Sequence, residues 1–179
     1  MGIEIERRFL VDGRYDKPWR TGNQSEMCQY YLSNVSHIDG KILWNGIQLA
    51  KEEGVLENLT TWRIRLSDNV VTLTAKGRRI GATANEFEWN LPIELYNSLP
   101  LHGLPSVNKI RHYWNGEDGL LWEVDEYEGS ISGLIIAEVE LDSEDQKVVL
   151  PDWLGLELTH LKGWSNSSLS RMIKDSEQS

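Results

Sequence analysis

The residues of this chain best suited to chemistry come in charged doublets two positions apart. Acidic pairs stand at Glu4/Glu6, Glu86/Glu88, Glu123/Asp125 and Glu138/Glu140, and basic pairs at Arg63/Arg65 and Lys109/Arg111. Arg8 follows the first acidic pair, and Lys76 closes "TLTAK" on its own. In an extended strand alternate side chains project to opposite faces, so each doublet shares one face with its charges about 7 Å apart. A plain wet face would mix signs or use Thr, Ser and Gln, because like charges side by side repel. Carboxylates crowded together raise one another's pKa unless a cation joins them, and Mg²⁺ or Mn²⁺ prefers carboxylate and water oxygens. Facing cations call for a polyanion, and the planar fork of Arg matches phosphate oxygens. The two sets together describe a site for a metal-bound polyphosphate, with Glu4 and Glu6 as metal ligands and Arg8 as the first phosphate contact.

Such a site requires strands that turn their charged faces toward one another. Apolar residues fill the alternate positions, as in Ile3, Ile5 and Phe9, in Trp62, Ile64 and Leu66, and in Phe87 and Trp89. This alternation predicts strands near 3–11, 26–33, 61–67, 70–77, 85–91, 108–114, 120–127 and 134–141. "SDN" at 67–69 and "NGEDG" at 115–119 read as hairpin connections. Short helices are expected through "LPIELYNSL", at "SEDQKVVL" with its capping-box spacing of Ser143 and Gln146, and in the tail "SNSSLSRMIKD". Residues 34–60 read as an irregular insertion with one weak helix near 47–57, either a surface feature or a lid or added hairpin over one mouth. The class is mostly β, an α+β chain with antiparallel neighbours and short flanking helices, in one domain over 1–179. If the sheet closes into a barrel, its charged faces line the lumen while helices and loops cover the apolar outside.

Bulk properties narrow the function classes. The chain has 179 residues, 40% hydrophobic and 26% charged, with a formal net charge of −10. That charge argues against non-specific binding to nucleic acid or anionic membrane, while leaving room for cations inside a cleft. No apolar run approaches the length of a membrane span, and charge from residue 4 onward leads us to expect no signal peptide. Cys28 is the single cysteine, which excludes an intrachain disulfide and suits the cytoplasm. The four histidines lack mutual ligand spacing, and His112 falls on the face opposite Arg111, where packing is expected. Most of the eight tryptophans suit a covered outer layer. Trp44 and Trp164 fall in irregular segments where a ring is free to stack on a nucleobase.

The ordered series "EIERRFLV", "QYYL", "RIR", "LTAKG", "EFE", "KIR", "WEVDEYEG", "AEVELDSED" and "PDW" resembles the CYTH domain, the fold of the triphosphate tunnel metalloenzymes. The likeness covers nearly the whole chain, and is nearest to short bacterial proteins that hydrolyse inorganic triphosphate. It implies an eight-stranded antiparallel closed tunnel barrel, open at both ends, and metal-dependent hydrolysis of inorganic tripolyphosphate or an organic triphosphate. By matching position it implies that Glu4, Glu6, Glu138 and Glu140 bind Mg²⁺ or Mn²⁺, with Glu123 and Asp125 as further metal-side acids. It likewise implies a phosphate grip of Arg8, Arg63, Arg65, Lys76, Lys109, Arg111 and Lys162, with Glu86 and Glu88 as other tunnel acids. Arg8, Tyr31 and Lys109 are its catalytic candidates. A monomer or homodimer acting on a small triphosphate-containing substrate completes the expectation.

Several positions depart from that pattern. The family's signature lysine, thought in some members to work with the tyrosine matching Tyr31 on the attacking water, is Arg8 here. Arg effectively never loses its proton, so a general-base role at Arg8 is disfavoured and reduced turnover is one consequence. An arginine common two residues before the ExE pair is Ala84, and "HLKGWSN" carries Gly163 at a usually basic position. Two alternatives therefore stand beside hydrolysis: a class IV-type adenylyl cyclase converting ATP to cAMP, and a non-catalytic triphosphate- or nucleotide-binding protein.

Overall fold

Eight antiparallel strands close on themselves in the computed structural model, which describes residues 2–178. In chain order the strands are β1 (Gly2–Val11), β2 (Gln24–Leu32), β3 (Ser36–Ile38), β4 (Lys41–Trp44), β5 (Ile47–Lys51), β6 (Leu59–Ser67) and β7 (Val70–Gly77). There follow β8 (Thr83–Leu91), α1 (Ile93–Ser98), β9 (Ser106–Asn115), β10 (Leu121–Tyr127), β11 (Ile135–Glu140), β12 (Leu154–Glu157) and α2 (Asn166–Glu177). The barrel runs β11-β10-β9-β2-β6-β7-β8-β1, and β1 returns to β11 with Glu6 opposite Glu140 and Arg8 opposite Glu138. β8 pairs with the first half of β1, at Gly2–Ile5, and β12 joins its second half at Phe9 and Val11. All eight strands expected from alternation are present.

The apolar alternate positions face outward and are covered on two flanks. On one flank Ile64, Val71, Leu73 and Leu91 pack with Ile42, Trp44 and Leu49. These last three come from a separate three-stranded sheet, β3-β4-β5. No helix forms near 47–57: residues 52–58 run without regular structure, and residues 36–51 hold a meander that covers the barrel wall. Its two turns, Asp39-Gly40 and Asn45-Gly46, have φ of 50°, 70°, 49° and 75°. Positive φ at both central residues is the hairpin geometry whose twist matches paired strands, and Asp-Gly and Asn-Gly are its preferred sequences. On the other flank Phe9, Val11, Trp122, Val124 and Val139 pack beneath Trp19 and Trp153, whose rings lie 4.8 Å apart.

A third cluster fills one end of the barrel. Leu10, Tyr31, Val107, Tyr127 and Ile136 share the inward face with the charged doublets, and they pack with Leu158 and with Leu169 and Ile173 of α2. That end is filled by side chains, whereas the resemblance implies two open ends. Helix α2 begins where expected, with the Ser165 hydroxyl accepting from the Ser168 N–H at 3.1 Å. The helix expected at 143–150 does not form. Gln146 instead turns its side-chain oxygen onto the Asp142 N–H at 2.6 Å, closing a single turn ahead of Pro151.

Ile42 is fully buried between the meander and the barrel wall. Ile42→Ala is expected to lower unfolding free energy by about 2–5 kcal/mol in urea, in one transition reported alike by fluorescence and circular dichroism. A loss below about 0.5 kcal/mol would mean that the meander does not support the barrel.

Candidate functional site

Antiparallel pairing converts the sequence doublets into neighbours across strands. Inward-facing partners include Glu123 and Glu138, Asp125 and Arg111, Lys76 and Glu86, and Thr74 with both Arg63 and Glu88. The barrel interior so formed encloses a cavity of about 850 Å³, lined among others by Glu4, Glu6, Arg8, Tyr31, Arg63, Arg65, Lys76, Arg111 and Glu123, with Glu86, Glu88, Glu138, Glu140 and Lys162. The solvent-exposed Arg78, Glu140 and Lys162 stand at its rim.

Next to the filled end, charges are paired and dry. Lys109 Nζ donates to Asp125 Oδ2 at 2.6 Å, and Arg111 Nε donates to Asp125 Oδ1 at 2.7 Å. Arg111 also bridges to Glu138 at 2.7 Å and contacts Glu123. Lys109 and Asp125 are each only 1% exposed and do not line the cavity. Burial, with Arg111 nearby, brings Lys109 down to about 8 against the pull of Asp125. Burial would raise Asp125, but Arg111 and then Lys109 outweigh it and hold the carboxyl far below the usual range. Expected as a catalytic and phosphate-gripping residue, Lys109 is placed instead in a buried clamp, and Asp125, expected on the metal side, is its counter-ion.

Elsewhere in the lumen the pairing is incomplete. Arg65 makes no ion pair or hydrogen bond among the described residues, and burial with Arg63 and Arg111 alongside lowers its pKa. Arg63 Nη2 donates to Thr74 Oγ1 at 3.0 Å, with Glu88 no nearer than 4.0 Å. Arg8 Nε lies 3.4 Å from Glu138 and its Nη1 donates to the Trp164 carbonyl at 2.8 Å, while the buried Nη2 makes no hydrogen bond among the described residues. These are cations with donors to spare. On the acidic side, burial with Glu138 and Glu4 nearby pushes Glu6 up to about 7. Partial desolvation at the rim, then Glu4 and Glu138, also raises Glu140, which makes no ion pair among the described residues. Burial raises Glu123 to about 7 despite Arg111.

The donor set fits a hard divalent cation. It consists of carboxylates, with Glu6 facing Glu140 across β1 and β11, and burial followed by repulsion from Glu4 and Glu138 raises both, a cost that such a cation would relieve. Among the described residues no three acidic, His or Cys groups are already drawn to metal spacing. Cations hold Glu4 and Glu6 instead. Lys76 Nζ lies 2.8 Å from Glu4 and 3.4 Å from Glu86, and Arg79 bridges Glu4 and Glu6. Arg79 escapes sequence reasoning because "GRRIG" lies in the β7–β8 turn, outside any alternation.

Arg8 and Tyr31 both line the cavity, but no hydrogen bond joins them among the described residues. The Tyr31 hydroxyl accepts from Gln29 Nε2 at 3.0 Å, and burial raises its pKa. Trp44 is buried between the meander and the barrel wall and Trp164 packs at the filled end, so neither ring fronts the cavity. His112 sits outside the lumen, its Nε2 2.8 Å from Glu126.

Residues 42–173 match the CYTH domain family. An inorganic triphosphatase of Acetivibrio thermocellus is 32% identical over 171 residues, which is 94% of each chain. An inorganic triphosphatase of Nitrosomonas europaea is 33% identical over 178 residues, covering 95% of this chain and 98% of that one. The crystal structure of the inorganic triphosphatase NE1496 superposes with a TM-score of 0.59 at 26% identity, over 95% of each chain.

The division between clamped and free charge has a measurable consequence. Asp125→Asn leaves Lys109 and Arg111 without their shared counter-ion and is expected to cost about 3–5 kcal/mol in urea unfolding. Glu140→Gln removes a carboxylate that repels its neighbours and should cost less than about 0.5 kcal/mol, or stabilise. Equal losses would contradict the division.

Proposed function

The chain belongs to the CYTH domain family, and from that premise we propose that it is a metal-dependent triphosphatase acting on inorganic tripolyphosphate or a closely similar triphosphate. The observation that carries this reading is the imbalance inside one cavity: Arg65 without an ion pair and Arg8 with an unbonded Nη2 among the described residues, beside Glu6 and Glu140, each raised by burial and then by the nearby Glu4 and Glu138 carboxylates. A chain of phosphates bearing a divalent cation satisfies both at once. Relatives at 32% and 33% identity, both inorganic triphosphatases, support it.

In this reading Glu4, Glu6, Glu138 and Glu140 hold Mg²⁺ or Mn²⁺. Bound there, such an ion would supply Lewis-acid polarisation of a phosphoryl oxygen and would offset charge on the phosphate chain. Arg63 and Arg65 grip phosphate oxygens from the opposite wall of the lumen, with Lys162 and Arg78 at the rim to draw in the anion. Arg8 adds its free Nη2 donor while Glu138 and the Trp164 carbonyl fix its orientation. Tyr31 remains a phenol and Arg8 a cation, so neither takes a proton from water. Hydrolysis tolerates this, because phosphoryl transfer depends mainly on alignment of the attacking water and stabilisation of charge on the transferred group. Lys109, Asp125 and Arg111 act as the rigid backing that holds Glu138 and Glu123 in place. The net charge of −10 keeps polyanions off the outside, and the lone Cys28 suits a reducing, cytoplasmic setting.

Incubation with tripolyphosphate and Mg²⁺ or Mn²⁺ should release orthophosphate, and release should stop with a chelator. No release with either metal between about pH 6 and 9 would sink the proposal. With ATP, appearance of cAMP and pyrophosphate instead of orthophosphate would identify cyclisation. Arg65→Ala is expected to lower kcat/KM about 10- to 150-fold, the range for losing charge-assisted hydrogen bonds.

A further inference from the structure

Between β7 and β8 the chain turns through Gly77, Arg78, Arg79, Ile80 and Gly81, with Gly81 at φ 61° and Ile80 bridged to Thr83. This tip sends Arg79 back into the cavity. Its Nη2 lies 2.7 Å from Glu4 Oε2 and 2.9 Å from Glu6 Oε1, and its Nη1 donates to the Ala82 carbonyl of the same turn. Ala84 stands opposite Glu4 in the β1–β8 register and lines the same cavity. Glu4 has a second cation in Lys76, but Arg79 is the only ion-pair partner of Glu6 among the described residues.

We propose that Arg79 is a displaceable resident counter-ion, which neutralises Glu4 and Glu6 in the cation-free protein and must leave them when a divalent cation binds. The inference rests on the assignment of Glu4 and Glu6 as metal ligands. A guanidinium and a divalent cation compete for the same carboxylate oxygens, so the affinity measured for metal is lowered by whatever the arginine contributes. The arginine is held by one carbonyl and two carboxylates at the edge of an exposed turn, not within a strand, so its release disturbs no ladder pairing. Two consequences follow for the protein. The acidic pair does not stand unpaired before metal arrives, and the metal concentration at which the site fills is set partly by the turn that carries Arg79.

The test is Mn²⁺ binding by isothermal titration calorimetry to substrate-free wild-type protein, Arg79→Ala and Arg79→Gln. Arg79→Gln removes the charge while keeping a polar side chain with part of the aliphatic stem, so it carries the same expectation should Arg79→Ala fold poorly. Both variants are expected to bind Mn²⁺ about tenfold more tightly than wild type, the ratio for losing one competing ion pair. Thermal unfolding gives an independent readout. Without metal the variants should melt a few degrees (about 2–4 °C) lower, and saturating Mn²⁺ should close that gap. Equal or weaker Mn²⁺ binding by folded variants, with wild type binding normally, overturns the role of Arg79 and leaves the metal site standing. Absence of Mn²⁺ binding in wild type and variants alike overturns the metal ligands and the displacement together.

Discussion

Closing eight strands into a barrel forces every second side chain into a space where bulk water cannot dilute its charge, and the rest of this structure is a response to that constraint. A buried ion costs free energy unless another charge or a hydrogen-bonding group faces it. Near the filled end the response is complete, with Lys109, Asp125, Arg111 and Glu138 forming a continuous dry network. Elsewhere in the lumen it is partial. Among the described residues Glu140, which follows Glu138 on β11, makes no ion pair, and neither does Arg65, which faces Gln29 of β2. The barrel thus has a scaffold layer whose charges satisfy each other and a working layer whose charges demand a ligand.

The outside answers a different constraint. The Trp, Ile and Leu residues that alternate with the charges must be covered, and the chain spends its non-barrel segments on that task. The β3-β4-β5 meander seals one flank with Ile42, Trp44 and Leu49, while Trp19 and Trp153 seal another. α2 completes the set by closing one end over Tyr31, Val107 and Tyr127. Asn166, at its start, accepts from the Tyr127 hydroxyl at 2.6 Å, so the helix that plugs the barrel is tied to the same layer as the Lys109 clamp.

The barrel and its charged lining were legible because strand alternation has a period of two and the charges follow it without interruption through six doublets. What escaped lies where that period stops. "HIDGKILWNGIQLAK" carried two hairpin signals, Asp39-Gly40 and Asn45-Gly46, but its strands are only three to five residues long and read as loop. The spacing of Ser143 and Gln146 imitated a helix start, although no apolar helical face follows before Pro151. Spacing also could not tell a doublet that is offered to a ligand from one that is spent on its neighbours. Lys109 and Arg111 look alike in sequence, yet only Arg111 reaches the cavity. That difference depends on which residues lie opposite in register and on the plug formed by distant Leu158 and Leu169. Arg79, in a turn, left no periodic trace.

The most direct measurement is anomalous X-ray scattering from crystals soaked with Mn²⁺ and a non-hydrolysable tripolyphosphate analogue. The account predicts manganese density among Glu4, Glu6, Glu138 and Glu140 inside the barrel, with the phosphate chain against Arg63 and Arg65. Manganese and phosphate bound only on the outer surface, with the lumen keeping its internal ion pairs at saturating ligand, would contradict it.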